Sequence, residues 1–351
     1  MRIRSAIIVC AAAITAFSSC DKYSQIDSSN TIKHPYVVHA GGLLGMVART
    51  NNAQVYDYIF QDDKSYSKGI CTYEKNIFHF RNHIYRADGS KPNYAPIKQG
   101  NFFTINRVLL NNDNGHCLNS YVVDSVHGDV YVCTNSGLVL SGKKGTDPFI
   151  VDPAPGSMAL TTSIVQLSNG SLYAFNCQGT PRFFKRDQPT PITNAVQAWQ
   201  TLPDPGALTS GNNEYWMLAS QGSRLWAVEK RGNVLPHFSN DGGSTWSAVP
   251  GLPDSVVITA AKGTNLNKGF FVACDSLGVY RYDEGNNKFE FSSGNLPKYI
   301  RVFDITSKRN IYRSDKSKDY YFIATNMGLY MSDNDGYDWN KVNDFPFSAL
   351  W

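Results

Sequence analysis

The chain has 351 residues, 42% hydrophobic, 13% aromatic and 18% charged, with a formal net charge of +4. That charge is small and scattered, which argues against a nucleic-acid partner, and 20 Tyr, 19 Phe and 6 Trp argue against a disordered chain. Aromatic wealth with scarce Glu points to strands rather than long helices, and the length is ample for a buried core without a disulfide or metal staple.

Residues 1–20 read MRIRSAIIVCAAAITAFSSC, in which Arg2 and Arg4 form a basic start and Ile7 to Phe17 an apolar stretch too short to span a bilayer. Ser18 and Ser19 then lead into Cys20. The Phe-Ser-Ser-Cys run resembles a bacterial lipobox, which implies lipidation of Cys20 and attachment to a membrane through its acyl chains. The alternative is an ordinary secretory signal with an incidental Cys. Residues 21–35 are polar and end in Pro35, as suits a tether. The expectation is an exported lipoprotein of the bacterial envelope, in the outer membrane, periplasmic or surface-exposed, with a signal peptide over 1–20, a tether over 21–35 and one folded domain over 36–351.

Cys71, Cys117, Cys133, Cys177 and Cys274 remain, an odd number, and packed thiols are expected rather than bridges. Cys133 and Cys274 read as one repeat position where a third copy has Ala324, a small buried strand site.

The repeats decide the fold class. VYVCTNSGLVLSG (130–142), FFVACDSLGVYRY (270–282) and YFIATNMGLYMSD (321–333) each carry an apolar strand, a polar turn with Gly and a second strand, and looser copies lie at 36–49, 77–88, 172–184 and 225–238. SNDGGSTW (239–246) reads Ser-x-Asp-x-Gly-x-Thr-Trp. SDNDGYDW (332–339) is a degenerate copy, with Asn334 and Asp338 in the Asp and Thr places, and SGKKGTDP (141–148) keeps only Ser and Gly. These octapeptides resemble the Asp-box, or bacterial neuraminidase repeat, of β-propeller blades. Ser239, Asp241, Gly243, Thr245 and Trp246, with Ser332, Gly336 and Trp339, are therefore read as turn-makers. The carboxylate accepts from turn amides, Gly supplies the tight conformation and Trp packs over the hairpin.

Strands opening a new unit are expected near Gly69, Asn119, Ser163, Glu214, Ser255 and Tyr299, 41 to 51 residues apart. That spacing suits four short strands with their turns. The N-terminal unit lacks an opening strand, and FPFSALW (345–351) is an opening strand with nothing after it. The expectation is an all-β chain, a single β-propeller of four-stranded blades, closed by the C-terminal strand pairing with the N-terminal blade. Seven blades fit best, with six or eight left open by the irregular 96–118 region.

Ligands of propellers usually meet the face that carries the turn inside each hairpin and the connections between blades. Here that face holds Arg81, His83, Asn135, Gln178, Arg231, Asp275 and Asn326, the long connection with Phe103 and Arg107, and the strand starts Trp216, Tyr299 and Arg301. Arg81, Phe103, Arg107, Trp216, Tyr299 and Arg301 are the candidate binding residues, because aromatic faces stack on sugars and Arg forks orient polar groups. The expected function is recognition of a glycan or a protein partner without catalysis. The alternatives are a sialidase-like or other glycoside hydrolase and a scaffold for an envelope complex. No Arg-Ile-Pro-like motif accompanies the boxes, and the mature chain has only Glu74, Glu214, Glu229, Glu284 and Glu290, so no residue is assigned a catalytic role. His79 and His83 lack a third ligand; no metal and no cofactor are assigned, although calcium at the Asp333–Gly336 turn stays open. The chain is expected to be monomeric, with its membrane contact through the N-terminal lipid.

Overall fold

The computed structural model describes residues 38–42, 47–50, 56–59, 69–73, 76–80, 84–88, 103–106, 118–134, 139–142, 150–152, 161–176, 182–187, 199–203, 216–230, 234–264, 269–309 and 319–350. Every regular element among them is a strand. The chain begins with β1 (Val38–Gly42), β2 (Val47–Thr50) and β3 (Tyr56–Ile59), then β4 (Gly69–Tyr73), β5 (Asn76–Phe80), β6 (Ile84–Asp88) and β7 (Phe103–Asn106). It continues through β8 (Leu118–Val123), β9 (Val130–Thr134), β10 (Val139–Gly142) and β11 (Ile150–Asp152), then β12 (Thr161–Gln166), β13 (Leu172–Asn176), β14 (Phe183–Arg186) and β15 (Gln200–Leu202). Next come β16 (Trp216–Gln221), β17 (Arg224–Glu229), β18 (His237–Ser239) and β19 (Ser247–Ala248), followed by β20 (Ile258–Gly263), β21 (Phe270–Cys274), β22 (Gly278–Asp283) and β23 (Lys288–Phe291). The last are β24 (Val302–Arg309), β25 (Asp319–Thr325), β26 (Gly328–Ser332), β27 (Asn340–Asn343) and β28 (Phe347–Leu350).

The described strands form seven four-stranded antiparallel sheets. Six are meanders of consecutive strands, β4 to β7, β8 to β11, β12 to β15, β16 to β19, β20 to β23 and β24 to β27. We number these sheets 2 to 7. Sheet 1 has the order β28-β1-β2-β3, with Ala40 opposite Leu350 and Gly41 opposite Ala349. The opening strands touch in succession, β4 with β8, β8 with β12, β12 with β16, β16 with β20, β20 with β24, β24 with β28 and β28 with β4.

The second strands of sheets 4, 6 and 7 are packed on both faces and carry no polar alternation. Every residue of β13, β21 and β25 is buried. Cores lie between neighbouring sheets. Trp226 and Val228 of sheet 5 pack on Phe270, Val272 and Cys274 of sheet 6, and Phe271 and Ala273 pack on Tyr321 and Ile323 of sheet 7. Ala40, Phe347 and Leu350 of sheet 1 pack on Phe322, Ala324 and Leu329. Trp226 stacks on Phe270 with ring centroids 4.1 Å apart and planes 3° from parallel, a contact worth about 0.5–1.5 kcal/mol beyond its burial.

Polar side chains at bulges join one opening strand to the next. The register shifts just before Ser120, Ser163 and Asp304. The Ser163 hydroxyl accepts from Leu218 N at 2.8 Å, the Ser120 hydroxyl from Ile164 N at 3.3 Å, and the Asp304 carboxylate from Leu350 N at 2.8 Å. Burial raises the Asp304 carboxyl above its ordinary pKa, against the pull of Lys262 and of the Leu350 and Ile305 amides.

The register corrects one expectation. Cys133 lies opposite Ser120, as Ala324 lies opposite Asp304, whereas Cys274 lies opposite Ile258, in the place of Thr325. A one-residue offset turns a side chain to the other face of its sheet. Cys133 accordingly packs with sheet 4 and Cys274 with sheet 5, both as buried thiols outside any disulfide.

The Ser-x-Asp segments are compact turns. Ser239 Oγ donates to Asp241 Oδ1 at 2.7 Å and accepts from Gly243 N at 2.7 Å. The Asp241 carboxylate also accepts from the Thr245 hydroxyl at 2.6 Å and from the Thr245 and Ser244 amides at 2.9 and 3.0 Å. Those bonds, with the Thr245 hydroxyl foremost, hold its carboxyl far below the usual carboxylate range. Gly243 has φ +93, and a Cβ there would run into the Phe183 ring of sheet 4. The second turn docks on its preceding sheet in the same way, with Gly336 against Phe271. The two tryptophans differ. Trp246 Nε1 donates to Gly243 O within its own turn at 3.0 Å, whereas Trp339 Nε1 crosses to Ser292 O at 2.7 Å.

Candidate functional site

The described β21–β22 and β25–β26 turns lie at the same end of their sheets as the connections into sheets 6 and 7, to which Asp275 N and Asn326 N donate through Val257 O and Arg301 O. These two connections are built alike. Leu252-Pro253-Asp254-Ser255-Val256-Val257-Ile258 leads into sheet 6 and Leu296-Pro297-Lys298-Tyr299-Ile300-Arg301-Val302 into sheet 7. Val256 and Ile300 are buried, as are Ile258 and Val302, so apolar side chains anchor each connection at corresponding points. Ser255 and Tyr299 hold the same left-handed conformation, at φ 55 and 61. A bulky residue pays a steric cost of about 1–2 kcal/mol there, and Tyr299 is nonetheless 77% exposed.

Arg301 joins two sheets at this end. Its guanidinium donates to Asp275 Oδ2, in the β21–β22 turn of sheet 6, at 2.9 Å. Its amide donates to Asn326 Oδ1, in the β25–β26 turn of sheet 7, at 2.8 Å, and its carbonyl accepts from Asn326 N at 3.1 Å. Asp275 N in turn donates to Val257 O at 2.7 Å, and Asp275 Oδ1 accepts from the Ser276 hydroxyl at 3.3 Å. With Asn326 Oδ1 occupied by a backbone donor, its amide nitrogen is the polar group left for a ligand. The remaining guanidinium N–H groups of Arg301 and the Tyr299 hydroxyl are likewise unpaired among the described residues. Val257, whose carbonyl holds Asp275 N, and Leu277, in the same turn as Asp275, are exposed. Together these groups offer hydrogen-bond donors, one aromatic face and an apolar shoulder.

Of the expected binding residues, Tyr299 and Arg301 therefore lie together with the turn residues Asp275 and Asn326. Trp216 does not join them. It is 0% exposed, packed in the core of sheets 4 and 5 beside Phe175 and His237, because the first residue of β16 faces the neighbouring sheet. Phe103 begins β7, where its backbone pairs with Arg86, and its side chain lies outside the described residues. Arg81, Arg107 and Cys20 also lie outside them, as do His83, Asn135, Gln178 and Arg231. Lys298, Val257 and Leu277 went unread in the sequence, although setting the two Leu-Pro connections side by side would have found Lys298 and Val257.

Several described carboxylates are engaged elsewhere. Asp283 caps the β22–β23 turn through Gly285 N and the Asn286 amide, bonds that hold its carboxyl below the ordinary range, with the Asn286 side chain foremost. Glu284 pairs with Arg224 at 2.8 Å and Glu290 with Lys288 at 3.1 Å. Asp124 accepts from His127 and Gln166 side chains, both at 2.7 Å, and so ties sheet 3 to sheet 4. Among the described residues no group of three or more His, Cys, Asp or Glu side chains is placed to hold a metal ion.

No family model and no curated sequence matches the chain. Solved structures do. YCF48 from Cyanidioschyzon merolae superimposes with a TM-score of 0.56 at 13% identity, over 86% of this chain and 92% of that one. The Cps50 (Swd1) β-propeller domain of Myceliophteria thermophila gives 0.57 at 10% identity over 83% and 90%. An ancestral GH74 enzyme gives 0.57 at 14% identity over 79% of this chain and 38% of that one. The fold is a β-propeller. At such identities the likeness extends to the fold alone.

Proposed function

We propose that the chain is a seven-bladed ring, with Asp-box turns on one face, that recognises a glycan or a protein partner on the other face without catalysis. The observation that carries this reading is the Arg301, Asp275 and Asn326 cluster, with the strained and exposed Tyr299 beside it. A strained exposed aromatic next to oriented donors is what a binding surface needs, and a stable fold gains nothing from it. The turns, caps and inter-sheet ties that occupy Asp124, Asp241, Asp283 and Asp304 leave those carboxylates without a catalytic posture. The ring reading is supported by the succession of opening-strand contacts and by the pairing of β28 with β1. Attachment to the bacterial envelope through lipid on Cys20 is part of the same proposal and rests on the Phe-Ser-Ser-Cys run. Among solved relatives by shape, YCF48 has been seen bound to a D1 peptide, which shows this architecture serving recognition in another protein.

The test is binding of the full chain to arrays of glycans and of peptides, with released sugar assayed in the same wells. Specific binding without release supports recognition. Release of sugar contradicts it in favour of a hydrolase, and silence on both arrays contradicts it in favour of a scaffold.

A further inference from the structure

The two Leu-Pro connections keep one framework and differ where they face solvent. Leu252 and Leu296, Pro253 and Pro297, Val256 and Ile300, and Ile258 and Val302 occupy matching places. At the three outward places the connection into sheet 6 has Asp254, Ser255 and Val257, and the connection into sheet 7 has Lys298, Tyr299 and Arg301. All six are exposed. Packing requirements therefore do not account for the change, because the same backbone, down to the left-handed residue, is satisfied by the first set. The second set replaces one negative charge with two positive charges and adds an aromatic ring. Asp275 neutralises part of the Arg301 charge and fixes its direction, and Lys298 remains a second cation on the same connection. Val257, whose carbonyl accepts from the amide of the Arg301 partner Asp275, and Leu277, two residues after Asp275, are exposed.

We propose that Lys298, Tyr299, Arg301 and the Asn326 amide, with Val257 and Leu277 as the apolar shoulder, bind an acidic peptide segment that carries an apolar or aromatic residue beside its carboxylates. The inference rests on the recognition reading above and gives it a ligand class. Lys298 and the free edge of Arg301 take the carboxylates, and the Asn326 amide and Tyr299 hydroxyl donate to main-chain carbonyls. The Tyr299 ring and the two aliphatic side chains receive the apolar residue. The aliphatic neighbours favour a peptide over a sugar, whose hydroxyls would be left unpaired against Val257 and Leu277.

The experiment presents random short peptides, and separately neutral and acidic glycans, to the full wild-type chain and to the variant K298D/Y299S/R301V. That variant installs the residues the sheet 6 connection already carries, and its thermal midpoint is measured alongside. Lys298→Glu, a single exposed charge reversal, is a second variant in case the triple one does not fold. Expected is enrichment of Asp or Glu next to Leu, Phe or Tyr among the bound peptides, with binding down about tenfold or more in the triple variant and several-fold in Lys298→Glu. Acidic peptides bound equally by the wild type and the variants would overturn this assignment and leave recognition standing at another place. Binding of acidic glycans alone, lost in the variants, would overturn the peptide class and keep the site. No binding on either array would overturn both this inference and the reading it rests on.

Discussion

Asp241 accepts four hydrogen bonds inside one short turn, and the second turn does the same work with Asn334. There Asn334 Oδ1 accepts from the Asp338 amide at 2.9 Å and its amide nitrogen donates to Asp338 Oδ2 at 2.9 Å, so the partner at the fourth place has changed with it. Asp241→Asn should therefore lower the thermal midpoint less than Asp241→Ala, since an amide can still accept from the backbone and give a proton to Thr245. The depressed carboxyl sets a sign for pH. Its contribution is present above the ordinary carboxylate range and is lost as pH falls through that range and below. Midpoints measured from neutral pH down to acid should fall less steeply in Asp241→Asn than in the wild type. Gly243 was legible as a turn glycine, but its second job, close approach to Phe183, needed the neighbouring sheet in view. Gly243→Ala combines a left-handed backbone with a collision and should cost about 2 kcal/mol or more, read by denaturant unfolding. Tyr299→Gly should do the reverse, adding about 0.5–1 kcal/mol by relieving its left-handed strain while removing the exposed ring.

At the scale of elements, the period of turns and glycines located the strands well. Openings read near Gly69, Asn119 and Ser163 begin at Gly69, Leu118 and Thr161, and those read near Ser255 and Tyr299 begin three residues later, at Ile258 and Val302, after a connection with its own structure. Burial within strands was not legible. A sheet packed on both faces gives an unbroken apolar run, so nothing in the order of residues told Trp216, facing sheet 4, from a residue at the mouth of a channel. The candidate site was legible in part for a related reason. Arg301, Asp275 and Asn326 sit on turns, where exposure follows from position, whereas their mutual bonds depend on how sheet 6 meets sheet 7. The stacked Trp226 and Phe270 mark the junction of sheets 5 and 6, and Trp226→Ala should cost about 3–5 kcal/mol, a loss measurable as a lower denaturation midpoint with Tyr299 and Arg301 untouched.

The whole molecule is organised around its opening strands, which touch one another in succession and carry ionisable groups between them. Lys308 on β24 is pushed down to about 8 by burial, with the charge of Lys262 adding to the effect. An amine with a lower pKa in the fold than in the unfolded chain costs stability while it is charged, and the cost fades as pH rises from the folded value to the unfolded one. Wild-type stability should therefore rise between about pH 8 and 10.5, and Lys308→Met should remove that rise and gain on the order of 1–3 kcal/mol at neutral pH. The proposed ring would be held shut by the pairing of the last strand with the first. Native-state hydrogen exchange on the intact chain tests this closure directly. If the ring is held so, the paired amides of Ala40–Gly42 and Phe347–Leu350 should exchange as slowly as those of β24 and β25, opening only with global unfolding. Fast exchange of Phe347–Leu350, with β24 and β25 still protected, would contradict it.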